Sequence, residues 1–204
     1  MAYSEESGGP GGMYLPGRAG ATALLCLALL AGAAGAAAAG SALLDLRGDV
    51  PGLGEVRLGW LYGQPLSVVL LERGQAEAAT PVGNALNSVM VAQGGRRVSV
   101  LSLQEVPAAT RPVARRLVGA YRDRVLVKVR AEYASAGKAA PVDLDRTAWL
   151  VADWTGAWKP LLAPECSGLA VAFLDARLER VDVHCDPTPE RAAARFAELL
   201  QTGR

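Results

Sequence analysis

The chain has 204 residues, which is enough for one ordinary domain and a targeting segment but not for two large domains. Its formal net charge is +1, and no stretch combines a basic run with interleaved aromatic residues, which argues against nucleic-acid binding. The composition is 51% hydrophobic but only 5% aromatic, and a good part of the alanine lies in the first forty residues. A core must therefore come from leucines and valines further along the chain.

The first forty residues have the composition of an export segment. A single cation, Arg18, precedes an uncharged stretch over residues 19–39, whose final Ala37-Ala38-Ala39 has the small-x-small pattern that a signal peptidase cuts. An uncleaved membrane anchor has the same composition, and a buried helix is the remaining alternative, although about 20 uncharged residues exceed what a soluble domain usually buries. Residues 1–40 are therefore predicted to be a signal peptide or a membrane anchor helix.

Two details of this segment bear on its processing. Met13 follows a polar, glycine-rich stretch and is an alternative start to Met1. Cys26 is preceded by Leu25, which is larger than the residue that lipidation usually requires at that place. The mature domain is expected to begin near Gly40.

Residues 41–64 are rich in turn signals and are predicted to form an N-terminal hairpin extension, with the main domain at residues 65–204. Pro65 leads into LSVVLLE, an apolar run of strand length that is typical of a strand buried on both faces. Apolar residues at helical spacing then predict a helix over about residues 81–92.

The middle of the chain alternates strand and helix patterns. Residues 97–103 alternate as a second strand, and Pro112 opens a helix whose inward side is predicted to carry Val113 and Leu117, with arginines on the other side. Residues 124–131 (RVLVKVRA) alternate again and predict an extra, half-exposed strand or hairpin arm. Such alternation indicates an α/β architecture with parallel neighbouring strands.

The last third of the chain has a clear order of elements. A strand over residues 149–154 is followed by a connector, and LAVAFL and ERVDVHC then form a hairpin around a turn at residues 175–178. A proline-marked helix closes the chain from Thr188 onward.

Three stretches are informative together: EVRLGWLYGQPLSVVLLE at 55–72, WLVADWTGAW at 149–158 and AFLDARLERVDVHCDPTPERAAARFAELL at 172–200. Their layout resembles that of the exported thioredoxin-like proteins related to membrane-tethered thioredoxins and thiol-specific antioxidant enzymes. The resemblance covers roughly residues 45–200. It implies an α/β fold in which helices flank a thioredoxin-like central mixed sheet.

The same resemblance shows what this chain lacks. Active relatives carry CxxC or a peroxidatic cysteine just after the first central strand, at a helix N-terminus whose dipole stabilises the thiolate. The matching residues 73–83 (RGQAEAATPVG) contain no cysteine, and no CxxC occurs in the chain. Where the family has a cis-proline before the hairpin, this chain has Gly168. The resemblance therefore implies the architecture without the family's thiol catalysis, and neither a catalytic residue nor a cofactor is predicted.

Cys166 and Cys185 are the cysteines of the predicted mature domain. In an exported protein such a pair indicates a disulfide. If Asp175 pairs with Leu178 across the turn, the two cysteines lie near the open end of one hairpin. A structural disulfide is the preferred interpretation, and two inert thiols or a redox-active pair are the alternatives.

No metal site is predicted. His184 is the only histidine, and adjacent strand positions point to opposite faces, so His184 and Cys185 are poorly placed to share one ion. His184 is instead expected to be exposed, or to cap the end of its strand.

A candidate binding surface is predicted around the turn that follows the strand at 149–154. Trp154 and Trp158 fall near this turn and are expected to be partly exposed, while Trp149 belongs to the core. Arg73 and Gly168, which flank the empty catalytic position, complete the candidate surface.

These observations predict an exported, redox-inactive thioredoxin-like domain that acts as a binding or assembly module at the cell envelope, in the periplasm or another extracytoplasmic place. Its expected partner is a protein, not a nucleic acid, and residues 19–39 provide a route to membrane association. One alternative is a thiol-disulfide oxidoreductase that uses a relocated Cys166 and Cys185 pair. Another is a membrane-tethered structural subunit of a larger complex.

Overall fold

A computed structural model describes residues 42–203. The predictions made for residues 1–40, including the export segment and Cys26, lie outside the described residues. Among the described residues a single sheet has seven strands in the order β2-β1-β5-β4-β3-β6-β7. The strands are β1 (Arg47–Val50), β2 (Gly54–Arg57), β3 (Leu66–Leu71), β4 (Arg96–Ser102), β5 (Ala148–Asp153), β6 (Ala170–Leu174) and β7 (Arg180–Cys185).

The sheet is mixed, as the resemblance implies. β3, β4 and β5 are parallel neighbours, whereas β6 and β7 join the β3 side of the sheet in antiparallel pairing. β1 and β2 form an antiparallel hairpin, and β1 continues the sheet beyond β5. The helices are α1 (Ala76–Gln93), α2 (Arg111–Ser135), the short α3 (Leu144–Thr147) and α4 (Trp158–Leu162), and α5 (Pro189–Thr202).

The core lies on both faces of the sheet because the central strands are apolar at consecutive positions. In β3, Val68 and Leu70 belong to one buried cluster, and Val69 and Leu71 belong to the other. Helices α1, α2 and α5 cover the second face, whereas α4 and the N-terminal residues cover the first. This arrangement explains why the sequence of β3 is apolar at every position except Ser67, which is itself fully buried.

The predicted strand over residues 124–131 is wrong, because these residues belong to the middle of α2. Leu126 and Val129 are buried against the sheet side, whereas Val127 is 64% exposed on the opposite side. Apolar residues on two sides of one helix produce an alternation along the sequence that imitates a half-buried strand. The inward side predicted for the start of this helix is wrong for the same reason.

None of the helices within residues 42–203 combines the length and the apolar character that crossing a bilayer requires.

Candidate functional site

The site that the resemblance points to is the junction between β3 and α1. The buried strand ends at Leu71, and the chain then turns through Glu72 to Gln75 before α1 begins. Gly74 has φ +93°, a conformation that a residue with a side chain adopts only with strain. The Gln75 side chain accepts a hydrogen bond from the Glu72 backbone N–H at 2.9 Å, which closes the turn. The first turn of α1 is thus formed as the fold requires, without a thiol.

An apolar groove of about 560 Å³ opens beside this junction. One wall is the junction itself, and the other is the N-terminal part of α2, where Val113 is 61% exposed and Leu117 is 68% exposed. The sequence prediction placed these two side chains inward. Tertiary packing instead buries Val118 on that helix, which turns the two residues toward the groove and solvent. The remaining lining includes Glu72, Arg73, Leu101, Leu103, Val106 and Pro107.

A smaller cleft of about 350 Å³ lies on the other side of Glu72. Cys166 and Ser167 line it together with Lys159. The Lys159 ammonium forms an ion pair with Glu72 and also donates a hydrogen bond to the Ser167 carbonyl oxygen at 2.9 Å. Lys159 therefore ties the β3–α1 junction to the loop that precedes β6.

Cys166 and Cys185 form a disulfide, with their Cα atoms 5.3 Å apart. Cys166 is 5% exposed and belongs to the core cluster, whereas Cys185 is exposed at the end of β7. The hairpin register differs from the predicted one, because Ala170 lies opposite Cys185 in the sheet. The disulfide thus joins the loop after α4 to Cys185, which forms the pair at the open end of the hairpin.

Gly168 lies just before β6, where the resembling family has its cis-proline. No cis peptide bond occurs among residues 42–203. A Cβ atom on Gly168 would overlap the Asp186 carboxylate, so only glycine fits without a shift of that side chain. The Asp186 backbone N–H donates to the Leu169 carbonyl oxygen at 2.7 Å, which holds the two chain segments together.

The four residues of the predicted binding surface do not form one surface. Trp158 is fully buried, and its indole N–H donates to the Arg47 carbonyl oxygen at 2.7 Å, so the prediction of partial exposure is wrong for this residue. The Asp153 carboxylate accepts from the Trp158 backbone N–H and draws the side chain into the core. Arg73 lines the apolar groove, whereas Trp154 lines a different cleft.

Trp154 is the partly exposed tryptophan of this turn. The Arg111 guanidinium lies 5.6 Å from the centre of the Trp154 ring, within range for a cation–π contact. The indole N–H of Trp154 contacts the Asp49 carboxylate at 3.4 Å, and Arg115 pairs with the same carboxylate at 2.8 Å. Trp154 therefore fastens the tip of the β1–β2 hairpin region to the start of α2.

His184 was predicted to be exposed or to cap its strand, and the predicted exposure is wrong, because only 9% of its side chain is exposed. Its ring packs edge-on against Phe173 at 5.2 Å between centroids, and its Nε2 lies 3.3 Å from an Asp182 carboxylate oxygen. Cys185 and His184 point to opposite faces of β7, as strand geometry requires. Among residues 42–203, His, Cys, Asp and Glu side chains do not gather in threes as a metal site would require.

A buried arginine on β4, Arg97, packs against α1. The Arg97 guanidinium on β4 donates to the Asn87 side-chain oxygen at 2.7 Å and to the Ser99 hydroxyl at 2.6 Å. Burial lowers the pKa of Arg97 to about 10, although the nearby Tyr121 and Glu132 oppose that shift. A Cβ atom at Gly83 would lie 2.5 Å from the Arg97 Nη2 atom, so α1 needs a glycine there to pass over the guanidinium.

No protein-family model and no curated protein matches the sequence. Similar solved structures include peroxiredoxin Q of Xanthomonas campestris, with 15% identity, a TM-score of 0.50, and coverage of 80% of this chain and 96% of that one. A putative electron transport protein from Aquifex aeolicus VF5 has 14% identity, a TM-score of 0.50, and coverage of 79% and 94%. A secreted Mycobacterium tuberculosis disulfide oxidoreductase has 14% identity, a TM-score of 0.47, and coverage of 76% and 97%. The first two likenesses show that the fold is thioredoxin-like.

Proposed function

We propose that this chain is an exported thioredoxin-like domain that binds a protein partner at the cell envelope through the apolar groove, without thiol chemistry at the β3–α1 junction. The observation that carries the proposal is the open groove itself. It lies beside the first turn of α1, where the resembling family places its reactive cysteine, and residues 72–76 contain none. A binding site thus accompanies an empty catalytic position.

The disulfide supports a structural role for the cysteines. Cys166 is part of the buried cluster that also contains Trp158 and Leu162. Cys166 lies in the loop after α4 and Cys185 lies on β7, so neither sulfur belongs to the first turn of a helix, the usual place where a thiolate is stabilised. A disulfide of this kind persists in an oxidising compartment, which agrees with the export predicted for residues 1–40.

The chemistry of the groove indicates the kind of partner. Its walls are mostly aliphatic, with Leu101, Leu103 and Val106 at the base and Glu72 and Arg73 at the rim. Such a groove fits an apolar segment of a protein chain whose ends carry polar groups that can meet the charged rim. The α2 wall of the groove exposes aliphatic side chains to water. Covering them with another apolar surface is favourable, because little free energy is spent on removing water from them.

The test uses the full chain and a library of random peptides displayed on phage. Peptides selected on the native protein should bind the Val113→Asp variant about tenfold more weakly, because a charge in the groove wall must be desolvated on binding. Val127→Asp is the matched control, since Val127 is the same residue type on the same helix with nearly equal exposure, outside the groove lining. Equal binding to the two variants would contradict the groove as the binding site.

One observation favours a second candidate, a thiol-disulfide oxidoreductase that uses Cys166 and Cys185. Cys185 is exposed, and Cys166 lines the small cleft that reaches Glu72, so a substrate thiol has an approach to this disulfide. This candidate predicts a bond that mild dithiol reagents reduce readily in the folded protein. A disulfide that resists reduction until the protein unfolds would eliminate it.

A third candidate, a membrane-tethered structural subunit, depends on the fate of residues 1–40. N-terminal sequencing of the exported protein distinguishes the two states. A sequence that begins near residue 40 would contradict a tether in this segment, and an intact segment would support it.

A further inference from the structure

Helix α2 has an apolar strip on the side that faces away from the sheet. Its inner side packs through Val118, Leu126 and Val129. At 100° per residue the opposite side presents Ala120, Val127 and Ala131, all of them exposed, and this strip continues the line of the exposed Val113 and Leu117. We call the outward side of α2, with Arg116, Ala120, Arg124, Val127 and Ala131, the outer face; Lys128 lies at its α1 side, where its ammonium donates to the Asn84 side-chain oxygen at 2.7 Å.

The outer face is also basic, because Arg116 and Arg124 lie on it, and it belongs to a basic helix. Helix α2 contains seven basic and two acidic residues, a net charge of +5, although the whole chain carries only +1. Arg116 and Arg124 form no ion pair among residues 42–203, whereas Arg130 is paired with Asp145 and Asp123 lies near Arg122. The outer face therefore combines exposed aliphatic side chains with two arginines, Arg116 and Arg124, that have no acidic partner among residues 42–203.

We infer that the outer face of α2 docks onto an anionic lipid surface. An exposed helix that combines aliphatic side chains with flanking Lys and Arg residues has the composition of helices that lie in the membrane interface. Long cationic side chains such as Arg116 and Arg124 let the aliphatic strip enter the boundary region while their charges stay at the phosphate level. The charge complementarity with anionic headgroups selects this occupant.

A protein partner fits the outer face less well. Protein interfaces are usually anchored by aromatic side chains that fill pockets, and the centre of this face contains alanine and valine instead. The face is a helix surface between two clefts: the apolar groove described above lies on its α1 side, and the cleft that Trp154 and Arg116 line lies on its other side. The inference does not rest on the proposed function, because a lipid surface can contact α2 whether or not the groove binds a peptide.

The test measures how fast a water-soluble maleimide modifies a thiol introduced on the outer face. In the full chain with Cys26→Ser, Val127→Cys places that thiol at the centre of the face, while the native disulfide keeps the other two cysteines unreactive. Val181→Cys is the matched control, because Val181 is an exposed valine on β7 at the opposite edge of the sheet. Each protein is mixed with vesicles of phosphatidylcholine alone or of equimolar phosphatidylcholine and phosphatidylglycerol.

We expect the anionic vesicles to slow modification of Val127→Cys by about tenfold relative to the neutral ones and to leave Val181→Cys unchanged. Adding Arg116→Glu and Arg124→Glu should remove this protection without lowering the melting temperature of the protein. Equal rates in the two vesicle types would overturn the inference. Protection that appears only with delipidated envelope proteins would also overturn it, in favour of a protein partner.

Discussion

The β3–α1 junction and the loop between α4 and β6 lie at the same end of the central strands, yet they are stabilised in different ways. The junction is exposed, closes through the Gln75 side chain, and lines a groove. The loop contains a buried half-cystine and receives a hydrogen bond from Lys159, and Trp158 at the start of α4 anchors its approach in the core. The disulfide therefore constrains the loop before β6, whereas the exposed β3–α1 junction is held by side-chain hydrogen bonds and an ion pair.

The largest expected effect concerns Trp158, which anchors α4 ahead of that loop. Trp158→Ala should lower the free energy of unfolding by about 3–5 kcal/mol, because it empties a fully buried site and leaves the Arg47 carbonyl oxygen without its indole partner. Urea denaturation gives the value. Trp154→Ala, a change of the same type at a partly exposed position, should cost much less, and equal losses would contradict the division between core and surface.

Removing the disulfide should have the next largest effect. Cys166→Ser combined with Cys185→Ser should lower the free energy of unfolding by about 3 kcal/mol in the chain-entropy model, since the bond closes a loop with a sequence separation of 19. Arg73→Ala at the junction should change it by no more than about 0.5 kcal/mol. If the two variants were equally stable, the supporting role assigned to the loop would be wrong.

A substitution at Gly83 tests the packing of α1 on the Arg97 guanidinium, independently of the disulfide. Alanine usually stabilises a helix interior by up to about 1 kcal/mol over glycine, but at Gly83 its Cβ would press on the Arg97 guanidinium. Gly83→Ala should therefore cost about 1–3 kcal/mol. Gly119→Ala in α2 is the comparison, because its Cβ would lie 3.3 Å from Pro51 Cβ, a tight contact but a much smaller overlap than at Gly83, and it should cost less. A gain in stability at Gly83 would show that Arg97 yields easily.

The smallest expected effect is a pH-dependent contribution to stability from Asp182 on β7. Burial opposes ionisation of Asp182, but hydrogen bonds from Arg195 and from the Val183 N–H, with the charge of Arg195, lower its pKa below the usual value. A lowered carboxyl pKa stabilises the fold above the unfolded pKa of about 4, and this stabilisation disappears as the pH falls through the folded pKa. Asp182→Asn should therefore lower the melting temperature at pH 7 and have less effect near pH 2, whereas a constant difference would contradict this account.

The sequence allowed the sheet to be predicted well where burial alone decides the pattern. β3 and β5 are buried at every position, and their sequences show it as nearly continuous apolar runs, interrupted by Ser67 in β3 and ended by Asp153 in β5. The hairpin of β6 and β7 was also predictable, but its register was not, because the turn between the strands contains a positive φ at Leu178 and an irregularity after Phe173. Such local deviations depend on packing and leave no periodic signal.

The candidate site was predictable only in its chemistry. The sequence shows directly that no cysteine immediately follows β3. It also predicted the disulfide between Cys166 and Cys185, which the structure contains. The groove was not, because it depends on which side of α2 faces the sheet. Val113, Leu117 and Val127 look like core residues in the sequence, and only the competing burial of Val118, Leu126 and Val129 turns them outward.

The central claim is that this domain does not catalyse thiol-disulfide exchange. An insulin-reduction assay with the full chain tests it most directly. In the presence of dithiothreitol, the rate of insulin precipitation should equal the rate with dithiothreitol alone, because the β3–α1 junction offers no thiol. The variant with Cys166→Ser and Cys185→Ser should give the same rate. An acceleration by the native protein that is lost on Cys166→Ser would contradict the claim and assign the chemistry to the disulfide at the end of the hairpin.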